Sequence, residues 1–227
     1  MPDAMPGATR DATLIELCRR LADPTRLAGG GVAAAASAAL AASLAELVVA
    51  LSMKRRVNQG IRAELAADMS RLARLRDQLV QGADADIAAF VNLMEEQRSA
   101  RTSGERAAYR AALQVAAASP LELADSALVV LRISAKRIPA AAPFAASDLV
   151  AAAALAGGAI DAALAMAEVN LELMRSERDP ALDAALASMA QTRARIAVEA
   201  ATALERMSES TRVDHDEEGS VGVGDAS

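Results

Sequence analysis

Three consecutive glycines, Gly29, Gly30 and Gly31, stand directly before an alanine-rich stretch that reads as a long helix. A glycine turn there allows backbone angles that other residues avoid and leaves unbonded amides at the positive end of the helix dipole, a geometry suited to an anion. The same turn also lets two helices approach closely. It lacks the Lys-Ser/Thr ending of a phosphate-binding P-loop, so a nucleoside triphosphatase of that kind is not supported. Asp84 and Asp86 fall within an apolar stripe, and Asp86 shares a helix face with Phe90 four residues on. A carboxylate partly buried on such a stripe gains proton affinity and can serve as a general acid or base if it faces a cleft; otherwise it is a polar edge.

Two further motifs carry charge. Lys54-Arg55-Arg56 closes the alanine-rich helix, where the negative end of the dipole favours cations. Ser147-Asp148 follows a loop bracketed by Pro139 and Pro143 and reads as a helix start, with Ser147 as the cap and Asp148 offsetting the dipole. Asn170 lies 22 residues after Asp148, so on one straight helix the two are roughly 33 Å apart at about 1.5 Å per residue. Only a break in that helix or a second copy of the chain would bring them to one site. The single histidine, His215, sits in the acidic C-terminal segment, which leaves no Glu-x-x-His pairs for a metal bundle, and no metal is expected.

These groups need a scaffold, and the composition selects it. With 227 residues, 53% hydrophobic and only 1% aromatic, the core must be built from Ala, Leu, Val, Ile and Met, which favours closely packed helices in one domain. The net charge of −6 offers no footprint for nucleic acid. A lone cysteine, Cys18, rules out an intrachain disulfide, and its place in an apolar pattern suggests a small buried hydrophobe. Cytoplasm is the expected compartment, since the N-terminus has no basic start followed by an apolar stretch. Residues 32–51 approach membrane-spanning length but are mostly Ala and carry Glu46, so a buried or interface helix is expected in place of a membrane span. Its Ala and Ser content suits a crowded bundle or a dimer seam.

Periodicity and capping signals predict an all-α, up-and-down bundle of about six to seven helices over residues 11–207, flanked by a disordered N-terminus at 1–10 and a disordered acidic tail at 208–227. The first helix runs from Asp11 to Ala22, with Thr13 and Glu16 at capping-box spacing; the second runs from Gly30 or Gly31 to Met53; the third from Gly60 to Arg98, with Gly82 as a possible bend. A fourth helix capped by Ser103 ends near Ala118, and Ser119-Pro120 reads as cap and first residue of a fifth reaching Arg137. A sixth from Ser147 to Arg175 and a last one from Pro180 to Met207 complete the set.

Taken in order, DPTRLAGGGVAAAASAALAASLAELV, MKRR, DADIAAFVNLM, ASDLVAAAALAGGA and EVN make the chain resemble the cyclodeaminase/cyclohydrolase family, over roughly residues 13–175. The resemblance implies an all-helical, oligomeric enzyme, expected as a homodimer, that acts on a tetrahydrofolate one-carbon adduct without metal or a permanently bound cofactor. It also implies site residues. Asp86 and Asp148 are the implied catalytic acids; Gly29, Gly30, Gly31, Lys54, Arg55, Ser147 and Asn170 are the implied substrate-binding groups. The chain departs from the family pattern at Ala28 and Val32 beside the glycines, at Val57 after the basic run, at Ala142 and Phe144 ahead of the Ser-Asp pair, and at Met166. Two functions follow: a methenyltetrahydrofolate cyclohydrolase or formiminotetrahydrofolate cyclodeaminase, or a diverged, non-catalytic folate-binding or regulatory protein on the same scaffold.

Overall fold

The computed structural model describes residues 9–25 and 28–219, with residue 10 and residues 209–219 described by backbone alone. Among these, six α-helices and three short 3-10 turns account for the regular structure, and no strand is present. The helices are α1 (Leu14–Ala22), α2 (Gly30–Met53), α3 (Arg62–Ser103), α4 (Ala107–Arg137), α5 (Pro143–Ser176) and α6 (Pro180–Gly219). Of the two terminal segments expected to be disordered, residues 1–8 and 220–227 lie outside the described residues.

Cross-helix pairs fix an up-and-down order. Arg76 on α3 meets Glu46 on α2, and Arg137 at the end of α4 meets Asp68 and Glu64 near the start of α3. Arg106 at the start of α4 reaches Glu177 just beyond α5, and Gly157 on α5 lies beside Leu204 on α6. Each helix from α3 onward therefore runs antiparallel to the one before it. Alanines make this packing close: Ala35, Ala38, Ala42 and Ala45 of α2 and Ala152, Ala156, Ala163 and Ala167 of α5 are fully buried. A methyl group in place of a long side chain lets helix axes approach at the near end of the usual range of about 8–10 Å. Three helices are apolar and long enough to cross a membrane by length and composition; here about half of each apolar window is buried against the other helices.

The local signals hold at some boundaries and fail at others. Thr13 caps α1, its Oγ1 accepting from the Glu16 amide at 3.3 Å, but α1 starts at Leu14, with Asp11 in a preceding 3-10 turn. Cys18 is exposed, against the expectation of burial: α1 lies on the surface and turns Leu17 and Leu21 inward, leaving Cys18 outside. Gly82 lies inside an uninterrupted α3, which continues to Ser103 and closes on Gly104 at φ 77°, the left-handed conformation glycine adopts freely.

Three start signals are overridden: Ser103 is the last residue of α3 and does not cap α4, which starts at Ala107. The expected fourth and fifth helices are one, α4, with Pro120 in its interior. The sixth begins at Pro143, with Ala142 at the N-cap position, so Ser147 is not a cap; it and Asp148 lie in the second turn. Proline at a helix's first position needs no amide partner, which makes Pro143 the better start.

Candidate functional site

Helix lengths create the site. The glycine turn at the start of α2 stands level with Asp86 on α3 and Met166 on α5, and α3, α4 and α5 all continue past that level. Farther out, the extensions pack their own cluster, which includes Leu93, Tyr109, Leu113, Leu171 and Leu182, separate from the main core. Between the end of α2 and that cluster lies a cleft of about 410 Å³. It is lined by Ala28, Gly29, Gly30 and Gly31, by Asp86, Ala89, Phe90 and Leu93 of α3, by Ala116 and Pro120 of α4, and by Met166, Val169 and Asn170 of α5.

The three glycines are not equivalent. A Cβ on Gly31 would fall 1.9 Å from Asp86 Oδ2, one on Gly30 would sit 3.0 Å from the Met166 sulfur, and one on Gly29 would meet nothing within 4 Å. Gly31 thus gives up its side chain so that the Asp86 carboxylate can lie against the first turn of α2. The close-approach reading of the turn therefore holds, with the approaching group a carboxylate beside the first turn of α2.

Asp86 is the one ionisable side chain lining the cleft among the described residues. Burial pushes its carboxyl above the ordinary carboxylate range, and a hydrogen bond from Ser119 Oγ to Oδ1, at 3.1 Å, draws it partly back. Asp84, the other acid on that stretch, is used differently: its Oδ1 accepts from the Thr9 amide at 2.8 Å.

Asn170 enters through a proline. Pro120 has no N–H, so the carbonyl four residues earlier, on Ala116, lacks its helical donor. Asn170 Nδ2 donates to that carbonyl from α5 at 2.7 Å. The proline that mimics a helix start in the sequence is therefore tolerated inside α4 because an asparagine on the next helix supplies the missing hydrogen bond. Asn170 is held at the cleft as a result, with its Oδ1 left as an acceptor.

The remaining expected site residues stand at the opposite end of the bundle. Lys54 is exposed at the C-terminal end of α2. The Arg55 guanidinium donates to the carbonyls of Ala140 and Ala141, tying α2 to the turn before α5, and Asn58 adds bonds to Ser52 and Ala140 at 2.9 and 2.8 Å. Ser147 is exposed and Asp148 half-buried in the second turn of α5, and since α5 is continuous, Asp148 and Asn170 are a helix length apart in one chain. The fold thus brings together Gly29, Gly30, Gly31, Asp86 and Asn170, and it does not bring Lys54, Arg55, Ser147 or Asp148 to them. Ser119 and Pro120 were missed as site residues. The available signal was a proline inside an otherwise uninterrupted apolar helical pattern, which reads as a boundary unless its carbonyl partner is known.

The described residues hold no cluster of His, Cys, Asp and Glu able to bind a metal ion. No curated protein matches the chain at a significant level. Among solved structures, a crystal structure of formiminotetrahydrofolate cyclodeaminase from Thermotoga maritima is similar, with a TM-score of 0.79 at 20% sequence identity, covering 88% of this chain and 96% of that one. This likeness concerns the fold. Residues 13–192 match the formiminotransferase-cyclodeaminase family, and that span takes in every helix that lines the cleft, so the chain belongs to the formiminotransferase-cyclodeaminase family.

Proposed function

We propose that the chain acts in one-carbon folate chemistry, as a formiminotetrahydrofolate cyclodeaminase or methenyltetrahydrofolate cyclohydrolase, with the cleft at the start of α2 as its reaction site. Family membership over residues 13–192 supports the substrate class. The observation that carries the site is the half-buried Asp86 carboxylate, held against Gly31 with raised proton affinity in a cleft whose other described lining residues are uncharged.

Both reactions pass through a carbon bonded to nitrogens that bears positive charge, and both move a proton to or from nitrogen. In the deamination, one folate nitrogen attacks the formimino carbon, the proton it loses passes to the departing nitrogen, and ammonia leaves. In the hydrolysis, water attacks the methenyl carbon and one ring C–N bond opens as its nitrogen takes up a proton. A carboxylate whose pKa is moved toward neutrality can stabilise the cation when ionised and carry the proton when it is not. Apolar Phe90, Leu93 and Met166 give the flat ring a surface and limit water.

A homodimer completes the arrangement. The ends of α2 lie about 36 Å apart at about 1.5 Å per residue, and Leu40 and Leu47 are half exposed along its outer face. An antiparallel α2–α2 contact about a two-fold axis would bring Lys54 and Asp148 of one copy toward Asp86 of the other, where a cation suits the glutamate carboxylate of a folate.

Purified protein assayed with formimino- and methenyltetrahydrofolate tests the proposal: turnover of one of them that is lost in Asp86→Asn is the expected result. Met166 lines the cleft where the family pattern has asparagine, which favours the second reading, a folate binder without turnover. Binding of both compounds with no turnover of either by the folded protein would establish that reading; no binding at all would sink both.

A further inference from the structure

Ser119 departs from the bonding pattern of four other buried or half-buried helical serines. Ser37, Ser43, Ser52 and Ser134 each donate to the carbonyl four residues back, at 2.9, 2.9, 2.7 and 2.9 Å. That back-bonding is the ordinary local solution for a serine inside a helix. Ser119, midway along α4, instead reaches across to α3 and donates to Asp86 Oδ1. The proton of its hydroxyl is thereby committed to one carboxylate oxygen.

The opposite side of the carboxylate is equally constrained. Oδ2 lies where a side chain on Gly31 would be, so the carboxylate is clamped between the α2 backbone and the Ser119 hydroxyl. We infer that Ser119 is a positioning residue for Asp86, fixing its rotamer through Oδ1 so that Oδ2 is presented at the mouth of the cleft beside Gly31. This rests on the reading of that cleft as the folate site.

No other charged group competes for the role among the described residues. Asp86 lies against Gly31 on α2 and bonds Ser119 on α4; the cleft lining beside it includes Pro120 on α4 and Met166 and Asn170 on α5, and Asn170 is committed to the Ala116 carbonyl. On α3 itself, Asp84 is turned to the Thr9 amide; on α5, Glu168 is paired with Arg175 and Arg193. The Ser119 hydroxyl is thus the group that offsets burial, and without it the carboxyl holds its proton more tightly.

The test uses the full chain with 13C-labelled aspartate side chains, titrated by NMR, in wild type, Ser119→Ala and Ser119→Thr, with Asp86→Asn identifying the Asp86 resonance. The pH profile of kcat/KM for the folate adduct that turns over is measured in parallel. Ser119→Ala is expected to raise the Asp86 midpoint and the acid limb of the profile together, by about one pH unit, a tenfold gain in proton affinity. Ser119→Thr, which keeps the hydroxyl, should restore both. A Ser119→Ala protein with the wild-type midpoint overturns the inference, and so does a shift that threonine fails to reverse. If Asp86→Asn binds and turns over folate as the wild type does, the reading of the cleft fails instead, while the titration still decides whether Ser119 governs Asp86.

Discussion

Asp86 and Gly31 share one volume: the carboxylate occupies the space a side chain at position 31 would need, with Oδ2 1.9 Å and Cγ 2.5 Å from the position of its Cβ. Gly31→Ala must therefore expel Asp86 from its place, breaking the Ser119 bond. The expected cost is about 1–3 kcal/mol of stability, as for other overpacked sites, together with loss of folate binding. Gly29→Ala, with open space around it, should leave both nearly unchanged, and Gly30→Ala should be intermediate because the flexible Met166 thioether can move. Chemical denaturation and ligand titration of the three variants check the order.

Burial raises the Asp86 carboxyl above its unfolded value, so the folded chain binds the proton more tightly than the unfolded chain does. Between the two values stability falls as pH rises, and above the folded value a constant penalty for the buried charge persists. Asp86→Asn removes the penalty. Its melting temperature should exceed the wild type's at neutral pH and converge with it at pH values below the ordinary carboxylate range. An equal difference at both pH values would contradict the assignment.

Asn170 and Pro120 should be energetically coupled through Ala116. In the wild type, Asn170→Ala leaves a buried carbonyl unsatisfied, at a cost of about 1–3 kcal/mol. In a Pro120→Ala background the restored amide can bond that carbonyl within α4, and the same Asn170 substitution should cost less by about 1 kcal/mol or more. Additive effects in the double-mutant cycle would show that the asparagine does not compensate the proline.

The basic run separates into two roles. Arg55→Ala removes the donor to Ala140 and Ala141 and should lower stability by about 1–2 kcal/mol. Lys54→Ala, at an exposed side chain, should leave melting unchanged and raise KM for the folate adduct several-fold. Equal melting temperatures for the two variants would refute the division.

If an α2–α2 contact completes the site, Leu47→Glu places a charge in that seam. Sedimentation should then show monomer, with turnover lost while the helical circular dichroism persists. A monomer that keeps full turnover would confine the site to one chain.

The helical class, the capping of α1 by Thr13 and the extent of α2 are written in local sequence, because an all-aliphatic composition, a capping box and a glycine–cation pair each act within a turn or two of chain. Asp86 was legible as a carboxylate on an apolar stripe, and the three glycines as a turn. What sequence alone could not supply was their partnership. Whether Gly31 faces an anion or another helix depends on what α3 brings alongside it, and whether Pro120 starts a helix or sits inside one depends on an amide 50 residues later, at Asn170. The register between antiparallel helices settles both. It also separates Lys54, Arg55, Ser147 and Asp148 from Asp86, because a continuous helix carries residues far apart in sequence to opposite ends of the bundle.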